Sequence, residues 1–190
     1  SAGGFESRFG DRMSSVLDVS YRRPERFGVT GSLSLMGGRL TVEGITKNKK
    51  FSQITGVRYR NSKYLLNSFQ TKGEYSPQFI DFQTLLAYKP SSKLEFNFLG
   101  NFAQNRYDFV PETRSTNFGT LNELYNLKIY YAGQEQDRYR SALGSLAVIY
   151  RPASHLSLKF MATGYSTSEQ ETYDIDGQYL KNFFAETRVY

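Results

Sequence analysis

Leu94-Glu95-Phe96-Asn97-Phe98-Leu99-Gly100-Asn101-Phe102 alternates residue by residue between two kinds of side chain. Leu94, Phe96, Phe98, Gly100 and Phe102 fall on one side of an extended chain. Glu95, Asn97, Leu99 and Asn101 fall on the other. A period of two is the mark of a strand with one apolar and one polar face, because successive Cβ atoms point to opposite sides of a sheet.

The pattern recurs on both sides of this stretch. Ile80 to Tyr88 alternates in the same way, as do Leu156-Ser157-Leu158-Lys159-Phe160-Met161-Ala162 and the run in which Phe27, Val29, Leu33 and Leu35 are interleaved with Gly28, Thr30, Ser32 and Ser34. Leu40-Thr41-Val42-Glu43 continues it, and residues 142–149 are apolar on both sides. The spacing predicts strands over about 27–36, 39–46, 51–60, 78–88, 93–107, 137–151, 156–169 and 181–190. Three predicted connections are short: Thr46–Lys50, Lys89–Ser92 and Arg151–Ser154, two of them holding a Pro that cannot donate to a ladder. Longer polar stretches over 61–77, 108–136 and 170–180 lie between them. A tight Met36-Gly37-Gly38-Arg39 turn is the exception. Short turns at one end and long loops at the other are what transmembrane β-barrels show, and the strands approach the roughly 9–11 residues that a tilted membrane strand needs.

Composition agrees with an all-β reading. Tyr and Phe occur fifteen times each and Trp is absent, and aromatics suit a pleated, half-buried surface. Mean hydropathy is −0.53, which a barrel tolerates because only alternate residues face lipid. No apolar run is long enough for a transmembrane helix. The chain has no Cys, which excludes disulfides, thiolate metal sites and a Cys nucleophile. The net charge of +6 is scattered among acids rather than gathered in a basic run, so nucleic acid is not an expected partner.

The first residues differ from the alternating strands. Gly3-Gly4-Phe5-Glu6-Ser7-Arg8-Phe9-Gly10, followed by Ser15-Val16-Leu17-Asp18-Val19, resembles the C-terminal end of the plug domain of TonB-dependent outer-membrane receptors, most closely those of Bacteroidetes-type bacteria. The motif residues are Gly3, Gly4, Phe9, Gly10, Ser15, Val16 and Asp18, with a last plug strand expected over 15–20. The stretch Leu35–Gly44 and the Phe79–Phe82 strand, followed by Lys89-Pro90-Ser91-Ser92, are similar to the barrel opening of the same family. The resemblance implies an antiparallel transmembrane β-barrel segment, about eight strands of a larger barrel, preceded by the last plug strand. Residues 1–23 would be the plug end and 24–190 the N-terminal part of the barrel, with Arg22–Arg26 as a polar link. It further implies a Gram-negative outer membrane, import of a bulky nutrient such as a glycan or siderophore, a TonB complex acting through a part N-terminal to this chain, a surface lipoprotein lid, and further barrel strands from the same or a second chain.

If the apolar sides meet lipid, then Phe82, Phe96, Phe98, Phe102, Leu158 and Phe160 face outer-membrane lipid. Glu43, Arg58, Arg60, Asp81, Glu95, Asn97 and Lys159 then face the lumen, with Gln83, Asn101, Glu186 and Arg188. Tyr107, Phe109, Tyr125, Tyr130 and Tyr131 would offer stacking surfaces in a long capture loop. Glu95→Gln is expected to be mild. Nothing points to an enzyme, a cofactor or a metal. His155 stands alone beside a Pro turn, and Asp174-Ile175-Asp176-Gly177 lacks the rest of a calcium loop. The alternative readings are a structural or adhesive outer-membrane barrel subunit and, with less support, a soluble β-sandwich that binds carbohydrate.

Overall fold

The fold is given by a computed structural model, in which residues 10, 15–16, 18–68, 73–120 and 124–184 are described, the side chains of 124, 183 and 184 excepted. It is all-β apart from one short helix. The strands are β1 (Gly28–Ser34), β2 (Gly37–Ile45), β3 (Phe51–Asn61), β4 (Gly73–Tyr88), β5 (Leu94–Pro111), β6 (Arg114–Gly119), β7 (Leu124–Ala153) and β8 (Leu156–Phe184), and the helix α1 is Lys63–Asn67. They form one antiparallel eight-stranded sheet in the order β1-β2-β3-β4-β5-β7-β6, with β8 on the free side of β7. Among the described residues the sheet is not closed: β1 pairs with β2 alone and β8 with β7 alone.

Several expected loops are ladder instead. The stretch 108–136 holds the end of β5, all of β6 and the first part of β7, and 170–180 lies inside β8. The strand expected separately over 181–190 continues β8 as far as Phe184, and 185–190 lie outside the described residues. Apolar alternation stops in these stretches, but hydrogen-bond pairing does not need it. Tyr, Thr and Ile sustain an exposed ladder, and so do cross-strand polar pairs. The tight turn is centred on Leu35 and Met36 rather than on the glycines, since Ser34 already pairs Gly37. Gly37 is nonetheless required, because its φ of +137° would set a Cβ 2.1 Å from the Tyr59 carbonyl oxygen. The strand expected over 15–20 is not formed. Ser15 makes a lone bridge and Asp18–Ser20 carry no ladder, with Leu17 outside the described residues. Residues 21–24 lie across a face of the sheet instead of along an edge where a ladder could form.

Register decides which side chains share a face. The row Val57–Phe82–Phe102–Ala142–Ser166 runs through directly opposed partners from β3 to β8, and so does Tyr88–Phe96–Val148–Phe160 from β4 to β8. Directly opposed residues point the same way, so these rows build one face. That face runs through Val29 to Leu33 on β1, Gly38 to Gly44 on β2 and Phe51 to Tyr59 on β3, then Ile80 to Tyr88, Leu94 to Phe102, Ala142 to Tyr150 and Leu158 to Ser166. No Asp, Glu, Lys or Arg points outward from it. Its large side chains are open to the surroundings: Phe82 is 43%, Phe98 39% and Phe160 65% exposed.

Burial sits on the opposite face. Ser52, Ala87 and Glu95 are buried there, at the end of the sheet that carries the short turns, beneath a chain segment whose Pro24 is itself buried. A water-soluble sheet packs its apolar face and wets its polar one; here the distribution is reversed.

Candidate functional site

Glu95 is the second residue of β5 and points to the polar face, opposite Ile149 of β7, which in turn opposes Lys159 of β8. Alternation puts it there, and the turn before β5 keeps it at the short-turn end. Arg151 closes that turn from the other side, its backbone N–H donating to the Lys93 carbonyl at 2.7 Å. Tyr21-Arg22-Arg23-Pro24 crosses over this corner, lining a groove with Glu95, Asn97, Arg151 and Lys159.

Three donors converge on one carboxylate. Arg23 Nη2 donates to Glu95 Oε1, Asn97 Nδ2 donates to the same oxygen at 3.0 Å, and Arg151 Nη1 donates to Oε2 at 3.3 Å. Glu95 is only 2% exposed. An unpaired carboxylate at such a place is costly, and charge-assisted hydrogen bonds offset that cost. The neighbouring Arg22 forms an ion pair with Glu43 Oε2 on β2. That oxygen takes no directed hydrogen bond among the described residues, so this contact is ionic and its worth small, the guanidinium being largely solvated. Adjacent arginines of one crossing segment are thus held by carboxylates from β2 and β5.

Arg58 and Asp81 are directly opposed partners on the same face, farther from the crossing segment. Arg58 Nε donates to Asp81 Oδ2 at 2.7 Å, and its guanidinium lies 4.7 Å from the Phe79 ring centroid. Arg60 opposes Phe79. The residues read as lumen-facing therefore share one face, and those read as lipid-facing share the other. Glu95, Asn97 and Lys159 meet in the groove, while Glu43, Arg58, Arg60 and Asp81 stand apart from it. Of the residues read as a plug-end motif, Gly10, Ser15 and Asp18 are exposed and Val16 is half-buried, whereas Gly3, Gly4 and Phe9 lie outside the described residues.

Arg22, Arg23 and Arg151 were legible only as linker and turn residues. The available signal was an Arg-Arg-Pro run ahead of strands whose polar faces carry well-separated acids, and nothing local pairs them. The expectation that Glu95→Gln is mild is corrected by the burial of Glu95 and the donors around it.

Beyond the uncharged belt the polar face becomes aromatic and acidic. Tyr75 stacks near Phe109 at 4.8 Å and Tyr107 at 6.3 Å between ring centroids. These rings stand on strands, not in the capture loop expected for them. Burial, Tyr75, Glu135 and Asp137 push the Tyr107 hydroxyl above its ordinary range. Tyr139 donates its hydroxyl to Glu171 Oε1 at 2.8 Å, and this bond, with slight burial and nearby acids, raises its pKa to about 12. Among the described residues no group of three or more His, Cys, Asp or Glu side chains gathers in a metal-binding arrangement, and His155 sits exposed in the turn before β8.

Comparison of the chain with family models, curated proteins and solved structures gives no match.

Proposed function

We propose that this chain contributes wall strands to a plugged outer-membrane β-barrel of the TonB-dependent kind, which imports a bulky solute such as a glycan or siderophore. The observation that carries the reading is the belt without charge on one face, continuous in register across β1–β5, β7 and β8, backed in the same rows by Arg39, Glu43, Arg58, Asp81, Glu95 and Lys159. On β5 it runs from Leu94 to Phe102, about nine residues, which at a tilt spans the ~25 Å apolar band of an outer-membrane barrel. A soluble protein rarely leaves so large an apolar surface uncovered.

Three further features support it. The turns at one end are short, while the other end carries α1, β6 and the extensions of β7 and β8. Both edges of the sheet are open, and open edges do not occur in hydrocarbon, so further strands from the same or a second chain close the barrel. The segment crossing the polar face, which in this reading is the plug end, is held to the sheet by the Arg23–Glu95 and Arg22–Glu43 contacts. In such a transporter a TonB complex would draw on the plug, and a lipoprotein lid would close the outer opening. An adhesive or scaffolding barrel is the second reading, favoured by the long β7–β8 hairpin standing clear of the belt.

Fractionation of the source membranes, with peptide sequencing and an uptake assay, tests the proposal. Peptides of this chain in the outer-membrane fraction, with solute uptake lost on gene deletion, support transport. Outer-membrane location with adhesion lost and uptake intact supports the second reading. Recovery in the soluble fraction ends both.

A further inference from the structure

Resting on the membrane-belt reading, we propose that Arg106, Arg138 and Arg140 form a site for the phosphate-bearing headgroup of a lipid in the leaflet at the long-loop end. Above the uncharged belt the outward face continues as the row Tyr59–Ile80–Gln104–Arg140–Ser168, and then as Asn61–Gln78–Arg106–Arg138–Gln170. The arginines are therefore the first charged groups met on leaving the belt, and they stand side by side on β5 and β7.

Of the three, only Arg106 has an acidic partner among the described residues. Arg106 and Arg138 are directly opposed, and like charges in that arrangement destabilise a sheet. Asp108 takes up Arg106, whose Nε donates to Oδ1 at 3.1 Å. Arg138 and Arg140 have no acidic partner among the described residues. The acids nearest in sequence, Glu135, Asp137, Glu169 and Glu171, belong to the rows of the opposite face. On the outer side the nearest acid, Asp108, stands one row farther from the apolar face and is taken up by Arg106, and Asp174 stands two rows farther, so Arg138 and Arg140 keep their charge. Positions two apart on a strand are separated by ~6.6 Å and adjacent strands by ~4.8 Å, so these guanidinium groups can converge on one phosphate-bearing headgroup. Guanidinium groups bind phosphate through paired donors. A free phosphate offers the same chemistry, but a headgroup has its acyl chains already on the belt below.

The test uses the complete native protein in nanodiscs of phosphatidylcholine with a minor fraction of phosphatidic acid, and counts the lipids retained by native mass spectrometry. Phosphatidic acid is expected to be enriched at least about fivefold among retained lipids, as charge-assisted guanidinium contacts imply. The enrichment should disappear in the Arg138→Gln, Arg140→Gln double variant and persist in the opposite-face control Arg58→Gln, Arg60→Gln. No enrichment, equal loss in the control, or displacement of the lipid by millimolar inorganic phosphate would overturn the site while leaving the belt in place. Failure of the protein to enter neutral phosphatidylcholine discs at all would overturn the belt reading, and this site with it.

Discussion

Glu95 is an acid that strand alternation places on the polar side and that tertiary structure then buries. Its partners are unequal. Asn97 comes from the same strand face, Arg151 from the neighbouring hairpin, and Arg23 from a segment distant in sequence. Glu95→Gln keeps the shape and removes the charge. Since both guanidinium groups remain partly solvated, the cost is discounted to about 1–2 kcal/mol. The expected readout is release of the crossing segment: trypsin should cut after Arg22 or Arg26 several times faster, with strand content unchanged. Equal cleavage rates in variant and parent would show that the segment is held by something else. At Tyr139 the sign runs the other way from an acid. A raised folded pKa means that the hydroxyl's bond to Glu171 contributes fully below pH 10 and is lost as pH rises through about 12. Absorbance titration of the tyrosines should therefore lose a component near pH 12 in Tyr139→Phe; an unchanged curve would refute the assignment.

Among the elements, β7 shows how a long strand accommodates two partners. Its pairing with β5 ends at Phe109–Glu135 and its pairing with β6 begins at Arg114–Ile129, one residue out of step. Gly133 lies in this gap with φ +87°, and a Cβ there would come within 1.6 Å of the Asp174 carbonyl oxygen. Gly133→Ala is expected to cost at least about 1–3 kcal/mol from backbone strain. Hydrogen exchange should speed up over 124–132 and 175–182 while 142–150 remain protected. Uniform loss of protection would mean that the two parts of β7 are not independent. On β5 the faces are the issue. Phe98→Arg should cost roughly 2–4 kcal/mol of insertion free energy near a bilayer midplane, and Asn101→Arg on the other face far less. Urea titration of the lipid-inserted protein compares them, and equal costs would sink the assignment of faces.

At the scale of the whole molecule, the chain has no Trp, so a single introduced Trp reports on its own surroundings. Phe98→Trp in bilayers with brominated acyl chains should be strongly quenched, and Asn97→Trp weakly. Equal quenching would mean that the belt does not meet hydrocarbon. Few side chains of the described sheet are buried, and its large apolar side chains face outward.

Alternation alone determined much of this. A period of two fixes which side chains share a strand face, so the grouping of Phe96 with Phe98 and of Glu95 with Asn97 could be read directly, as could the short turn at Lys89–Ser92; the turn expected over Arg151–Ser154 falls at Ser154–His155, because β7 runs on through Pro152 to Ala153. Pattern failed where apolar residues thin out, because ladders over 108–111 and 170–180 are held by backbone pairing and polar cross-strand contacts that leave no period in hydropathy. The contacts of Arg22 and Arg23 were equally hidden. Ion pairs between residues far apart in sequence depend on where the chain crosses the sheet, and only register and the path of residues 18–26 decide that. Register also aligned the separate apolar faces into one belt and set the arginines above it, which no single strand could reveal.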